Sequence, residues 1–420
     1  MKKRACILLM VMAMLLTSAF AGAEVAILDA VTPEELAALT ATTIIRDEDS
    51  PTGYVVTFRY AAPEAERVRI RGEWNFSDAY HSSTTTSISI LPEDWNPDVF
   101  PLQVAGDWPS FDMEKDEDTG IWSYTIPLPS GTWSYRFAVD GVEGAELTDH
   151  TDATVETDPN NRPTEKVLGE QNNSQVYVPF DPDKQVKDNS IQAPRADQNG
   201  TVVNLTYEPV GVPEDAIKDT AAIAVYLPYG YDENREEPYK VLYLSHGSGL
   251  ESEYSWVNKG SLVNMMDNLV AQERCEPFVV VSLNSYATSF NDANVIENII
   301  PLVEENFNVA TEAANRAMAG LSGGARLTLR LAGSNPETFG YYCPMAGELE
   351  EVVLDGEKLA NAKFHITMGL YERRMDKLTE MEDALTQAGL EYTQAIYAGG
   401  HDWFVWRDAS VDYVSDLLWK

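Results

Sequence analysis

The chain has 420 residues, 44% of them hydrophobic and 23% charged, enough apolar material for roughly two to three domains with real cores. Its formal net charge of −37 argues against nucleic acid or an anionic membrane held by a basic surface. A neutral glycan tolerates that charge better than a polyanion does.

Lys2, Lys3 and Arg4 precede an apolar run from Ala5 to about Leu16, and small residues Ala19, Ala21 and Ala23 follow. This is the pattern of a secretory signal peptide over residues 1–23, cut near Ala21 or Ala23, and it predicts a secreted, extracellular protein with no membrane contact after cleavage. The run is too short to span a bilayer comfortably. Beyond it only Cys275 and Cys343 remain, too few for a disulfide scaffold, and spacing alone leaves them free or paired.

Thr32-Pro33-Glu34-Glu35 reads as a capped helix start. From Thr52 the pattern turns to alternation: Tyr54, Val56, Phe58 and Tyr60 share one face, and Arg67–Arg71, Ile121–Leu128 and Trp133–Val139 continue it. Short strands punctuated by turn residues predict an all-β, immunoglobulin-like sandwich over residues 24–168. Trp122 and Trp133 fall in these strands as core positions. Trp74, Trp95 and Trp108 are either a platform for sugar rings or packing residues. Asp112, Glu114, Asp116 and Asp118 before Gly120 lack calcium-loop spacing and read as a solvated hairpin. Residues 169–198 are polar, without sustained apolar periodicity, and read as an extended linker.

From residue 199 the pattern becomes α/β. Compact apolar strands are expected at Ala221–Leu227, Lys240–Leu244, Phe278–Leu283, Arg316–Gly320 and Lys363–Met368, with another around Tyr392–Tyr397. Helical patterns lie between them at Ser261–Ala271, Val295–Asn306, Ala325–Ala332 and Asp376–Ala388. Such alternation predicts a largely parallel sheet with helices on both faces over residues 199–420.

Chemistry concentrates in that half. Gly320-Leu321-Ser322-Gly323-Gly324 is a G-x-S-x-G segment between an apolar strand and a helix. A nucleophile there sits on a tight turn, and the Gly323 N–H faces a developing oxyanion. Of five histidines, His401 lies in a glycine loop after the last strand, where the order Ser, acid, His places a base, whereas His365 lies in an apolar strand and reads as a core residue. Glu372, just past the strand ending at Met368, is the expected acid, with Asp376 as the alternative. Ser245-His246-Gly247-Ser248 follows another strand; the Ser248 N–H is the expected second oxyanion donor, and His246 is expected to hold the loop. Tyr254, Trp256, Tyr371 and Trp403 flank these loops and are expected to line the acyl pocket. No Cys/His cluster has zinc spacing.

Val225-Tyr226-Leu227-Pro228, Tyr243-Leu244-Ser245-His246-Gly247, Ala319–Gly324 and Gly399-Gly400-His401-Asp402-Trp403 with Trp406 together resemble the esterase D-like family, which includes feruloyl and acetyl xylan esterases of carbohydrate esterase family 1. The resemblance covers nearly all of residues 200–420 and implies an α/β-hydrolase domain over residues 199–420. It implies hydrolysis of ester groups on plant cell-wall polysaccharide such as xylan, or its feruloylated or acetylated oligosaccharides, with no metal or other cofactor. The family's usual Met after the nucleophile and its usual acid Asp are here Gly323 and Glu372. Trp133–Gly141 and Asp158-Pro159-Asn160-Asn161 resemble early-set sandwiches related to glycogen-binding modules, which implies a first domain that influences use of polymeric substrate. Enterochelin esterases pair a β-domain with the same catalytic fold, so a siderophore esterase is the alternative; a non-catalytic glycan-binding protein is the third reading.

Overall fold

The computed structural model describes residues 32–78, 90–101, 108, 110–140, 154–156, 173–210, 221–248, 251–284, 291–372 and 374–420. Residues 1–23, where a signal peptide is expected, His81, His150 and Asp158–Asn161 lie outside the described residues.

The first domain opens with helix α1 (Pro33–Thr40), capped as its sequence demands: the Thr32 hydroxyl accepts from the Glu35 N–H, and the Glu35 carboxylate answers at the Thr32 N–H. Strands follow as β1 (Thr43–Arg46), β2 (Tyr54–Ala61), β3 (Val68–Gly72), β4 (Phe76–Ser77), β5 (Phe100–Pro101), β6 (Ser110–Asp112), β7 (Glu114–Lys115), β8 (Ile121–Pro127), β9 (Gly131–Val139), β10 (Thr154–Glu156) and β11 (Ser174–Val178). They form two larger antiparallel sheets, β1-β2-β8-β7 and β10-β9-β3-β6 with β11 also on β9, and the short pair β4-β5. The alternation of β2 puts Val56 and Phe58 fully inside, against Trp133 and Tyr135 of the facing sheet. The acidic run between β6 and β8 is a hairpin whose turn is closed by N–H groups of Asp118 and Thr119 on the Asp116 carboxylate.

Of the two alternatives for the first-domain tryptophans, packing holds for Trp74 and Trp95, which are buried in the domain core; Trp108 is half-buried beside the Arg136 guanidinium. One reading of this half needs correction: the supposed linker is structured over its described part. β11 pairs with β9 in the sandwich, and beyond it Gln185, Asn189 and Gln192 turn their amides inward onto the backbone of Ser130, Thr52 and Thr132. Those amides satisfy buried peptide groups that would otherwise be stranded. The polarity that resembles a linker is a hydrogen-bonding seam.

The second domain is built on one eight-stranded sheet, in the order β12 (Thr201–Thr206), β13 (Ala222–Leu227), β15 (Val279–Leu283), β14 (Val241–Ser245), β16 (Arg316–Leu321), β17 (Tyr341–Met345), β18 (Lys363–Gly369), β19 (Tyr392–Tyr397). β12 and β13 run antiparallel to their neighbours; from β15 onward all pairs are parallel. Helices α2 (Leu262–Ala271), α3 (Ile300–Asn306), α4 (Gly323–Ser334), α5 (Met375–Gln387) and α6 (Trp403–Asp412) divide between the faces, giving one apolar cluster on each side of the sheet. This is the expected α/β-hydrolase architecture behind an all-β domain. Cys275 and Cys343 are both free. No helix among the described residues is long and apolar enough to cross a membrane.

His365 behaves as the core residue its strand predicts. It is 4% exposed, bonds Thr393 Oγ1 through Nδ1 at 2.8 Å and stacks on Tyr413. Burial pushes its pKa down to about 4. The unfolded chain therefore binds the extra proton first, and stability falls as pH drops from about 6.5 to 4, by about 3 kcal/mol in total. His365→Gln is expected to show a smaller loss of thermal stability between pH 7 and 4.5 than the parent. Parallel loss in both proteins would show that this ring is not the source.

Candidate active site

In an open α/β sheet, ligands gather outside the carboxyl ends of the strands. Ser322 follows β16, Ser245-His246-Gly247 closes β14, Glu372 follows β18 and His401 follows β19. All four loops leave the same edge of the sheet, which brings together residues far apart in sequence.

Ser322 occupies φ 52°, ψ −112°, a strained backbone for a residue with a side chain. Its N–H is held by Met345 O at 2.9 Å, and its carbonyl accepts from the N–H groups of Ala325 and Arg326 at the start of α4. The turn survives because its surroundings fix it. A Cβ on Gly324 would sit 2.4 Å from His246 O, and one on Gly247 would sit 2.9 Å from Leu321 Cδ1 and 3.2 Å from Ser322 Cβ. These glycines let the β14 loop and the helix start pack directly against the serine. Gly323 opens α4, where the first N–H groups have no partner within the helix.

His401 Nε2 lies 2.9 Å from Ser322 Oγ, and its Nδ1 lies 2.5 Å from Glu372 Oε2. The carboxylate side chain is 2% exposed and the imidazole 33%, so the acid is shielded while the base keeps access to water. Trp406, one turn along α6, meets the imidazole edge to face at 5.0 Å between centroids. Of the two carboxylates weighed from sequence, Glu372 meets the imidazole; Asp376 is 70% exposed and turned to Lys377. Asp402 caps α6, accepting from the N–H groups of Gly400, Phe404 and Val405, and burial raises its pKa to about 6. His246 is fully buried, its ring bonded to Gly247 O at 2.7 Å and its pKa lowered by burial, a loop-holding position.

Ser248 is exposed at the mouth, and its hydroxyl accepts from Arg326 Nη2 at 3.1 Å. Arg326 in turn pairs with Glu348 and Glu350. The sequence reading missed Arg326, although it stands four residues after Ser322, on the same helical face as the elbow. Of the residues expected to line the acyl pocket, Trp256 and Trp403 pack edge to face on each other in the core beneath the site, and Tyr254 is also buried. They support the site rather than line it. Tyr371 is half-buried and stacks on Phe100 of the first domain, with centroids 4.3 Å apart and planes at 9°.

The arrangement can activate a hydroxyl: a carboxylate–imidazole–serine chain beside a helix start is the apparatus of acyl transfer. No group of three or more His, Cys, Asp or Glu among the described residues is disposed to hold a metal ion.

Comparison with known proteins agrees with the fold. Residues 215–416 match the family model described as putative esterase. An endo-1,4-beta-xylanase/feruloyl esterase of Xylanibacter ruminicola is 29% identical over 320 residues, spanning 70% of this chain and 39% of that protein. Endo-1,4-beta-xylanase Y of Acetivibrio thermocellus is 28% identical over 170 residues, 36% of this chain and 14% of its own length. The chain thus spans less than half the length of these relatives. Among solved structures, the enterobactin esterase of Shigella flexneri superposes with a TM-score of 0.55 at 15% identity, covering 92% of this chain and 98% of that one, so the succession of β-domain and α/β-hydrolase domain is itself a shared fold. With the esterase-family match over residues 215–416, the hydrolase sheet and the serine at its elbow, the chain is similar to esterases and has the α/β-hydrolase fold.

Proposed function

We propose that this protein is an exported serine esterase that removes feruloyl groups from plant cell-wall polysaccharide such as xylan, with Ser322 as nucleophile, His401 as general base and Glu372 as its orienting acid. The observation that carries the chemistry is the unbroken chain of contacts from Glu372 through His401 to Ser322. The substrate class is supported by the Xylanibacter relative, whose match extends beyond the length of the catalytic domain. Export rests on the basic and apolar residues 1–23.

In this reading Ser322 Oγ attacks the ester carbonyl as His401 Nε2 takes its proton. The oxyanion lies toward the N–H groups of Gly323 and Ser248. Collapse breaks the ester C–O bond, and His401 returns the proton to the leaving sugar hydroxyl. Water then adds to the acyl carbon, giving a proton to His401, and the free acid departs as Ser322 recovers its hydrogen. Glu372 fixes the imidazole tautomer and offsets the charge on the transient imidazolium.

A siderophore esterase is the second reading, favoured by the likeness to enterobactin esterase across both domains. The assembled serine, histidine and glutamate argue against a purely glycan-binding protein. Product chromatography separates the substrates. With feruloylated arabinoxylan, acetylated xylan and enterobactin at equal ester concentration, ferulate release is expected to exceed the other two by at least about tenfold in kcat/KM. Faster enterobactin cleavage would replace the first reading by the second, and faster acetate release would move the substrate to acetyl esters.

A further inference from the structure

The loops of the base and the acid have contacts to the first domain that Ser322 lacks among the described residues. Ser322 and the Ser245–Gly247 loop are rooted in the middle of the parallel sheet, on β16 and β14. His401 stands just before α6, whose Trp403, Val405, Trp406 and Ala409 pack in the hydrolase core while its Phe404 and Arg407 reach into the first domain. Phe404 is buried among first-domain core residues, 4.8 Å from the Trp133 ring. Arg407, 1% exposed, gives Nη1 to Thr132 O and Gln192 Oε1, both at 2.8 Å, and lies 3.9 Å from the buried Glu73 carboxylate. The acid is tied to the same domain. Tyr371, beside Glu372, stacks on Phe100, and its N–H reaches Gly399 O in the histidine loop at 2.9 Å. Leu370, next to it, is 49% exposed, so the outer side of the acid loop has little cover of its own.

We propose that the first domain is a positioning element of the active site, holding the acid–base pair in register with Ser322 through the Phe100–Tyr371 stack and the insertion of Phe404. The proposal rests on the assignment of Ser322, His401 and Glu372 above. A nucleophile–base distance fixed to a fraction of an ångström is what makes the proton transfer efficient, and displacement by about 1 Å costs on the order of a hundredfold in rate. The acid loop and the base loop meet that requirement jointly: they share the Tyr371–Gly399 hydrogen bond and the Glu372–His401 contact, and each is buttressed by an aromatic contact from outside the catalytic sheet. A domain serving only as a tether for polymer would have no reason to place side chains beside the acid and the base.

The test uses the full chain and a small soluble ester, methyl ferulate or 4-nitrophenyl acetate, to which polymer binding is irrelevant. Sites are titrated to completion with a fluorophosphonate, so that kcat refers to folded, reactive protein. Phe100→Ala and Tyr371→Ala are each expected to lower kcat per site by about tenfold or more with KM within about twofold. The double variant is expected to be no worse than the poorer single, since both act through one contact, and Phe100→Tyr is expected to restore kcat. Wild-type kcat per site in Phe100→Ala, additive losses in the double variant, or a change confined to KM would overturn the proposal. If Phe100→Ala does not fold, Phe404→Leu probes the base side with the same split between kcat and KM. Ser322→Ala in the same assay keeps the two claims apart. Turnover by that variant would remove the triad assignment itself, whereas its silence beside unimpaired Phe100 and Phe404 variants would remove only the positioning role.

Discussion

Ser322→Ala is expected to lower kcat on any ester the protein hydrolyses by about a million-fold, with the melting temperature essentially unchanged. The loss is large because the hydroxyl is the only group in the chain of contacts able to form the acyl intermediate; His401 would then face a methyl group where it now meets Oγ at 2.9 Å. A residual acceleration of about a thousandfold over water is expected from the oxyanion donors and substrate binding alone. Stability should hold because the strained φ of 52° and the Met345 bond to the backbone N–H belong to the turn, not to the hydroxyl. The measurements are steady-state turnover, fluorophosphonate labelling and a melting curve. Near-parental turnover in a folded variant would end the assignment of the nucleophile.

The parts of this molecule that were legible in its sequence are those specified locally. The elbow at Gly320–Gly324 carries its own turn chemistry, and the strands β13, β14, β15, β16 and β18 are apolar runs whose ends fall within a residue or so of expectation. β17 escaped because it is Tyr-Tyr-Cys-Pro-Met, and a proline ordinarily demotes a run from a central strand; here Pro344 pairs opposite Gly320 in mid-sheet. β12 escaped because it is a half-exposed edge strand whose Val203 and Leu205 pack on the core, an alternation too short to stand out in sequence. Trp256 and Trp403 have the composition of pocket residues, but local spacing does not say which side of a loop is filled from beneath. The interdomain contacts were invisible for a simpler reason. Arg407 reaches Thr132 across 275 residues, and nothing in either segment encodes the other. The same distance effect makes residues 173–198 read as a linker, because an amide that will cap a distant peptide group looks like a solvated one.

Glu372→Gln is expected to cost about 10⁴ in kcat while leaving the fold and KM nearly unchanged. The carboxylate accepts from His401 Nδ1 at 2.5 Å, which leaves Nε2 free of a proton and able to receive one from Ser322. A glutamine in the same pocket can present its amide N–H to Nδ1 instead. The ring proton then moves to Nε2, the atom facing Ser322 Oγ, and the base is blocked although every heavy atom stays in place. Because the acid side chain is 2% exposed, water cannot readily take over its role. Glu372→Asp keeps the charge but shortens the reach by one methylene, and an intermediate loss is expected. Asp376→Asn is the matched comparison: that side chain is 70% exposed and faces Lys377, so kcat should stay within about twofold. The three variants are read by turnover of one soluble ester at saturating concentration, with active sites titrated. A crippled Asp376→Asn beside a fully active Glu372→Gln would reverse the assignment of the acid and, with it, the reason that the Gly369–Glu372 loop needs to be held so firmly against the histidine.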